Sequence, residues 1–145
     1  MNGDLSRSPL AHEIEFLAIK LFSMGTRRAN DALLSVSLRV RLYSVLALAN
    51  SDAHPTQRDL AEFLELDPSQ IVALVTELEN RGLVIREIDP SDRRSKVVTA
   101  TPRGAKLFEE ARAVTGNAES ETLSALTSDE QAALLRLLRK AVFGA

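Results

Sequence analysis

Two histidines, His12 and His54, stand far apart in this chain, and no cysteine accompanies them. Without a thiol, disulfides, thiolate metal ligands, cysteine nucleophiles and thiol redox sensing are excluded. Neither histidine has a local partner, and the chain has no glycine-rich phosphate loop and no paired-carboxylate signature. No catalytic residue, resident metal or cofactor is therefore expected. What does cluster is positive charge: Arg81, Arg86, Arg93, Arg94, Lys96, Arg103 and Lys106 share a stretch whose acids are Glu87, Asp89 and Asp92. Other acids gather at Glu109 and Glu110, at Glu119 and Glu121, and at Asp129 and Glu130. A formal net charge of -2 thus conceals a basic middle. The sum alone argues weakly against nucleic acid, but a local run of Lys and Arg is what neutralising phosphates requires.

The elements that must position these cations can be read from periodicity and caps. The 145 residues, 45% hydrophobic and 26% charged, fit one small domain with helical extensions. The segment Met1 to Leu10 is polar, and no stretch approaches the roughly 18 apolar residues of a membrane span. These features predict a soluble, cytoplasmic protein with no membrane partner. Ile14, Leu17, Ala18, Leu21 and Phe22 recur at helical spacing and predict a long helix from Glu13 to about Leu34. Ser37 is the expected cap of a second helix carrying Val40, Tyr43, Val45, Leu46 and Ala49. Thr56 and Asp59 make a near capping box for a short helix ending at about Leu64. Asp67, Pro68 and Gln70 open another, which Gly82 should stop.

Beyond Gly82 the period changes. Leu83 to Ile88 and Val97 to Thr101 read as two strands, joined by a charged loop from Asp89 to Lys96. Thr101 and Pro102 then start a helix running to about Leu126, whose polar middle around Gly116 invites a kink or break. Thr127 to Glu130 is a capping box for a last helix. The expected fold class is α+β and mostly helical. Its informative unit is helix, tight turn, helix and hairpin, a helix-turn-helix followed by a wing. Leu60, Leu64, Leu66, Ile71, Leu74, Val75 and Leu78 are its expected core, with Ala61 at the close crossing.

Three motifs carry a resemblance: L-A-E-F-L at Leu60 to Leu64, L-E-N-R-G-L-V at Leu78 to Val84, and D-P-S-D-R-R at Asp89 to Arg94. Thr101 to Gly104, T-P-R-G, adds a fourth. In this order they resemble the multiple antibiotic resistance regulator (MarR) family of winged helix-turn-helix transcriptional regulators. The resemblance implies a dimerisation helix in residues 1–36, a DNA-binding domain in 37–101 and dimerisation helices in 102–145. It implies a homodimer on a pseudo-palindromic duplex operator, and a repressor released by a small aromatic or phenolic ligand. The ligand cleft of such a protein would draw on His12, Phe16, Arg39, Arg41 and Tyr43.

In a helix-turn-helix the second helix enters the major groove by its N-terminal part. Ser69, Gln70, Ala73 and Thr76 are therefore the expected base readers: Gln pairs with adenine, and Ala or the Thr methyl meets a thymine methyl. Ala73 stands where the family pattern leads one to expect an arginine, and Glu77 where a basic residue is common. Arg93 and Arg94 on the wing are expected nearest the DNA, with Asp92 orienting one of them. Lys96 and Arg86 are expected phosphate contacts, and Thr56 and Arg58 anchors of the DNA backbone. The competing reading is a winged helix used as a protein-interaction module with no specific DNA target, which the shortage of basic residues on the second helix and the acidic net charge favour and the basic wing opposes.

Overall fold

The computed structural model describes residues 4–145; Met1, Asn2 and Gly3, the start of the expected segment 1–36, lie outside the described residues. The element order is α1 (Ile14–Leu33), α2 (Val40–Ala49), α3 (Gln57–Leu64), α4 (Pro68–Asn80), β1 (Val84–Asp89), β2 (Asp92–Ala100), α5 (Pro102–Thr122) and α6 (Ser128–Phe143). Short 3-10 turns at Leu5–Arg7, Pro9–His12 and Leu34–Val36 complete it. The fold is α+β and mostly helical, as expected. Two compact units share the chain: Ala29–Thr115 forms one, and the residues up to Arg28 join Gly116–Ala145 in the other.

The Ala29–Thr115 unit holds the helix-turn-helix. Thr56 opens α3 through a full capping box: its N–H donates to Asp59 Oδ2 at 2.8 Å, and Asp59 N–H donates back to Thr56 Oγ1 at 3.1 Å. Glu65 takes a left-handed conformation and ends α3, and Asp67 with Pro68 starts α4 two residues later. Leu60, Ile71, Val75 and Leu78 are fully buried where the two helices meet, with Ala61 8% exposed beside them. Each such side chain contributes about 1.5–3 kcal/mol of transfer free energy. Gly82, at φ +71°, supplies the left-handed stop that a side chain would resist. Gly104 is required for a different reason: a Cβ there would sit 1.9 Å from the Leu83 carbonyl oxygen, so the start of α5 lies directly on the backbone entering β1.

Two local expectations fail in this unit. Ser37 does not cap α2. It sits at φ 55° as the left-handed exit of the 3-10 turn, and α2 begins three residues later at Val40. Arg39, at the cap position, offers no acceptor, and Asn30 on α1 supplies it instead, its Oδ1 taking the Val40 N–H at 2.9 Å. The charged loop Asp89 to Lys96 is also much shorter than expected. Asp89 Oδ1 accepts from both the N–H and the hydroxyl of Ser91, at 2.8 and 2.7 Å, closing a tight turn so that β2 starts at Asp92. Arg93, Arg94 and Lys96 therefore belong to a strand.

In the other unit, α5 passes through Gly116 without a break and stops at Thr122, not Leu126. One glycine costs about 1 kcal/mol in a helix, too little to break one of this length, and the Ser120 hydroxyl bonds the Gly116 carbonyl at 3.0 Å. Gln131 Nε2 reaches the carbonyls of Leu123 and Leu126, both at 3.2 Å, holding the turn that leads to α6. The expected Thr127 capping box starts α6, with Thr127 N–H on Glu130 Oε2 at 2.8 Å. Ile14, Ile19, Phe22, Leu135 and Val142 stay more than half exposed on these helices. Among the described residues, no single helix is long and apolar enough to cross a membrane.

Candidate nucleic-acid interface

α4 turns its apolar stripe (Ile71, Leu74, Val75, Leu78) into the core, which leaves Ser69, Ala73 and Thr76 exposed on the opposite side. These are three of the four expected base readers. The fourth, Gln70, is half-buried and already engaged: its Oε1 accepts the Asp67 N–H at 3.1 Å. Bidentate pairing with adenine uses both the amide oxygen and nitrogen, so a base would have to share the Gln70 oxygen with the cap of α4. Thr76 is also spoken for in part, because its Oγ1 accepts from Arg86 Nη2 at 3.1 Å.

Arg86 thus departs from its expected role. Its guanidinium donates to Glu79 Oε1 at 2.7 Å through Nη1, to Gln57 Oε1 at 3.1 Å through Nε, and to Thr76 through Nη2. One side chain from β1 clamps the start of α3 and the second half of α4. With these three bonds Arg86 positions the wing against the helices, and two of its five N–H donors remain. Glu79 is the acid of the L-E-N-R-G-L-V motif, whereas Gln57 belongs to no motif that a sequence reading could single out. A second tether joins wing and helix pair through the backbone, where Val98 N–H donates to the Pro55 carbonyl at 2.8 Å and Thr56 bridges Val97.

The wing tip is built differently. β1 and β2 run antiparallel, but their register shifts between Ile88 and Asp89: Ile88 pairs with Lys96, and Asp89 with Asp92. Arg93, Arg94 and Ser95 are left without cross-strand partners, a bulge of the kind that re-aims side chains. Arg93, Arg94 and Lys96 are exposed, and none enters an ion pair among the described residues. Asp92 does steady an arginine, as expected, but through the backbone: its Oδ1 accepts the Arg94 N–H at 3.0 Å. The Ser91 backbone and hydroxyl hydrogens hold the Asp89 carboxyl below its usual range, which keeps the turn charged and closed. On α3, Arg58 is exposed and pairs with Glu62 at 2.8 Å, which raises its proton affinity further. Thr56 has its hydroxyl on Asp59 Oδ2 at 2.7 Å, and that bond holds Asp59 below the usual carboxylate range.

The five residues expected around a ligand are placed as follows. Arg39 is exposed and forks onto the carboxylate of Glu77 on α4, at 3.0 Å for the shorter bond. The unexpected acid on the recognition helix is thus half of an ion pair with the start of α2. Arg41 is exposed on α2, and Tyr43 stacks on Phe108 with ring centroids 5.8 Å apart. His12 and Phe16 belong to the other unit, where His12 Nδ1 lies 3.1 Å from the Ser8 carbonyl and the Lys20 ammonium sits 5.7 Å above the Phe16 ring.

Known proteins share this architecture. A sequence model of the MarR family matches residues 42–95. A crystal structure of a MarR-family transcriptional regulator from Rhodococcus sp. RHA1 is 37% identical, aligns over 95% of this chain and 99% of its own, and superposes with a TM-score of 0.85. CouR from Rhodococcus jostii RHA1, crystallised with p-coumaroyl-CoA, is 39% identical over 95% of this chain and 97% of its own, at a TM-score of 0.83. The transcriptional regulator HosA of Escherichia coli O111:H- is 36% identical over 70 residues, 48% of this chain. Matches to the curated relatives span 52–60% of their length. The relatives are named as transcriptional regulators, and the whole-chain agreement in sequence and fold with the Rhodococcus proteins is the deciding observation. This chain belongs to the MarR family of winged helix-turn-helix transcriptional regulators.

Proposed function

We propose that the protein is a homodimeric, cytoplasmic repressor that binds a pseudo-palindromic duplex operator and is released by a small aromatic acid or its coenzyme A thioester. The observation that carries the DNA-binding part is the pairing of an exposed strip of small side chains, Ser69, Ala73 and Thr76, with three cations in no ion pair among the described residues, Arg93, Arg94 and Lys96, on the adjoining wing. The strip has the size and chemistry to touch base edges, and the cations the charge to hold phosphates or enter a minor groove. Arg58 keeps its terminal nitrogens for the DNA backbone. The dimer reading rests on apolar side chains at Ile14, Phe22, Leu135 and Val142, between 62% and 84% exposed, which a second copy would cover. By analogy with CouR and its p-coumaroyl-CoA, Arg39, Arg41 and Tyr43 of the Ala29–Thr115 unit would contribute to the ligand's place. No catalytic role is assigned to any residue.

Selection of bound duplexes from a random pool tests this directly. A palindrome with half-sites about one helical turn apart, losing affinity when about five base pairs are inserted between them, is the expected result. Binding with no sequence preference would favour the protein-interaction reading, and light scattering at a single chain mass of 15.9 kDa would remove the dimer. Titrating the bound complex with p-coumarate and with p-coumaroyl-CoA tests the ligand class, release by either being expected.

A further inference from the structure

Two motif arginines take no part in the proposed interface: Arg81 of R-G-L-V and Arg103 of T-P-R-G. With Lys106 they line an open surface cavity of about 350 Å³ on the Ala29–Thr115 unit, whose apolar side is formed by Val36, Leu83 and Leu107. Its volume is in the small-ligand range. Arg81, at the end of α4, spends one nitrogen on the Ser37 carbonyl at 2.9 Å and keeps its remaining donors. The Arg103 guanidinium lies over Gly82, with Nη1 only 3.8 Å from where a side chain would begin. No ion pair among the described residues uses Arg81, Arg103 or Lys106, although Glu110 also lines the cavity. Three cations and one carboxylate leave an excess of about two positive charges beside an apolar wall. Guanidinium forks match phosphate and carboxylate oxygens in shape as well as charge.

We propose that this cavity is a binding site for a small organic dianion, such as a phosphate monoester, whose charged end lies among Arg81, Arg103 and Lys106 and whose apolar part rests on Val36, Leu83 and Leu107. A phosphate monoester carries about -1.5 to -2 at neutral pH, which matches the local excess. The site is built wholly from one unit and does not depend on the ligand place proposed above. The alternative occupant of the same cations is the DNA backbone.

The experiment uses the full-length protein, calorimetry and a protein NMR titration with phenyl phosphate and with inorganic phosphate. Saturable binding of phenyl phosphate in about the millimolar range or tighter is expected, with inorganic phosphate weaker because it cannot use the apolar wall. The double variant R103Q/K106Q, checked for an unchanged melting temperature, should weaken phenyl phosphate binding by about tenfold or more. It should leave the salt dependence of operator binding as it was. Arg81 is kept in that variant because it holds Ser37. A variant that disturbs folding is replaced by K106Q alone, at an exposed position, which should still weaken phenyl phosphate binding. Failure of phenyl phosphate to bind, or shifts confined to residues outside this cavity, overturns the proposal. A flattened salt dependence in R103Q/K106Q assigns the cations to DNA and overturns it as well.

Discussion

The recognition helix and the wing are neighbours in sequence and are held in place by different physics. α4 is fixed by burial: its apolar stripe closes the core, its first turn is capped by Gln70, and its polar side is tied down through Glu77 to Arg39 and through Thr76 and Glu79 to Arg86. The tip of the wing is fixed by one two-residue turn and a bulge, and its cations are unpaired. The helix spends its polar groups on its own protein and presents shape. The wing spends almost nothing and presents charge. Specificity without much affinity is the expectation for the first region, and affinity without much specificity for the second.

The comparison is sharpest where the two regions should respond oppositely. Leu78→Ala should cost about 2–5 kcal/mol in urea unfolding, because a fully buried side chain leaves a cavity behind. Arg93→Ala should stay within about 0.5 kcal/mol of the parent in the same assay. Equal losses would mean that the wing tip is packed into the core after all. Arg86→Ala lies between them, at about 1–3 kcal/mol, since it strands Glu79 and frees Gln57 and Thr76. Arg86→Lys should recover only part of that stability, for an ammonium cannot reproduce the planar fork. If Arg86→Ala instead left stability intact and removed one phosphate's worth of salt dependence, Arg86 would touch DNA and not act as a clamp.

Acid should separate the regions further. Asp89 has its folded value held below the ordinary carboxylate range by Ser91. Its contribution is therefore present above the unfolded value and is lost as pH falls through the folded one. The protection factor of the Ser91 amide, its hydrogen-exchange rate set against the intrinsic rate at the same pH, should fall on acidification before those of Ile71 and Val75 do. Simultaneous opening would deny the turn its independence. The smallest effect belongs to Glu77→Gln. Its ion pair with Arg39 is largely solvent-exposed, so stability should change by no more than about 1 kcal/mol. Operator affinity should rise slightly as a repulsive charge leaves, and a fall would make Glu77 a base reader.

Caps and burial made most of this fold readable from sequence, because their signals are local. Thr56 with Asp59, Thr127 with Glu130 and Gly82 each act within a few residues, and the helical periodicity of α4 names its buried face. The misses share a cause. Asn30 caps α2 from ten residues upstream, Arg86 finds partners on two other elements, and the wing's bulge depends on cross-strand register. None of these is encoded in adjacent residues. Gly116 misled in the other direction, since a helix already long and locally hydrogen-bonded absorbs a single weak residue. At the interface, residue type identified Arg93, Arg94 and Lys96 as cations but could not say which arginine was committed elsewhere. Only the three-dimensional partners distinguish Arg86 from its neighbours.

The central claim is that the wing supplies the electrostatic part of operator binding while α4 supplies little of it. The direct test is the slope of log affinity against log salt for the parent, Arg93→Ala, Arg94→Ala and Ser69→Ala on one selected operator. The account predicts that each arginine variant weakens binding and flattens the slope by roughly one unit for each phosphate that a subunit no longer neutralises. Ser69→Ala, by contrast, should change preference at one base position and leave the slope alone. Arginine variants that keep the parent's affinity and slope, with the fold intact, would contradict it.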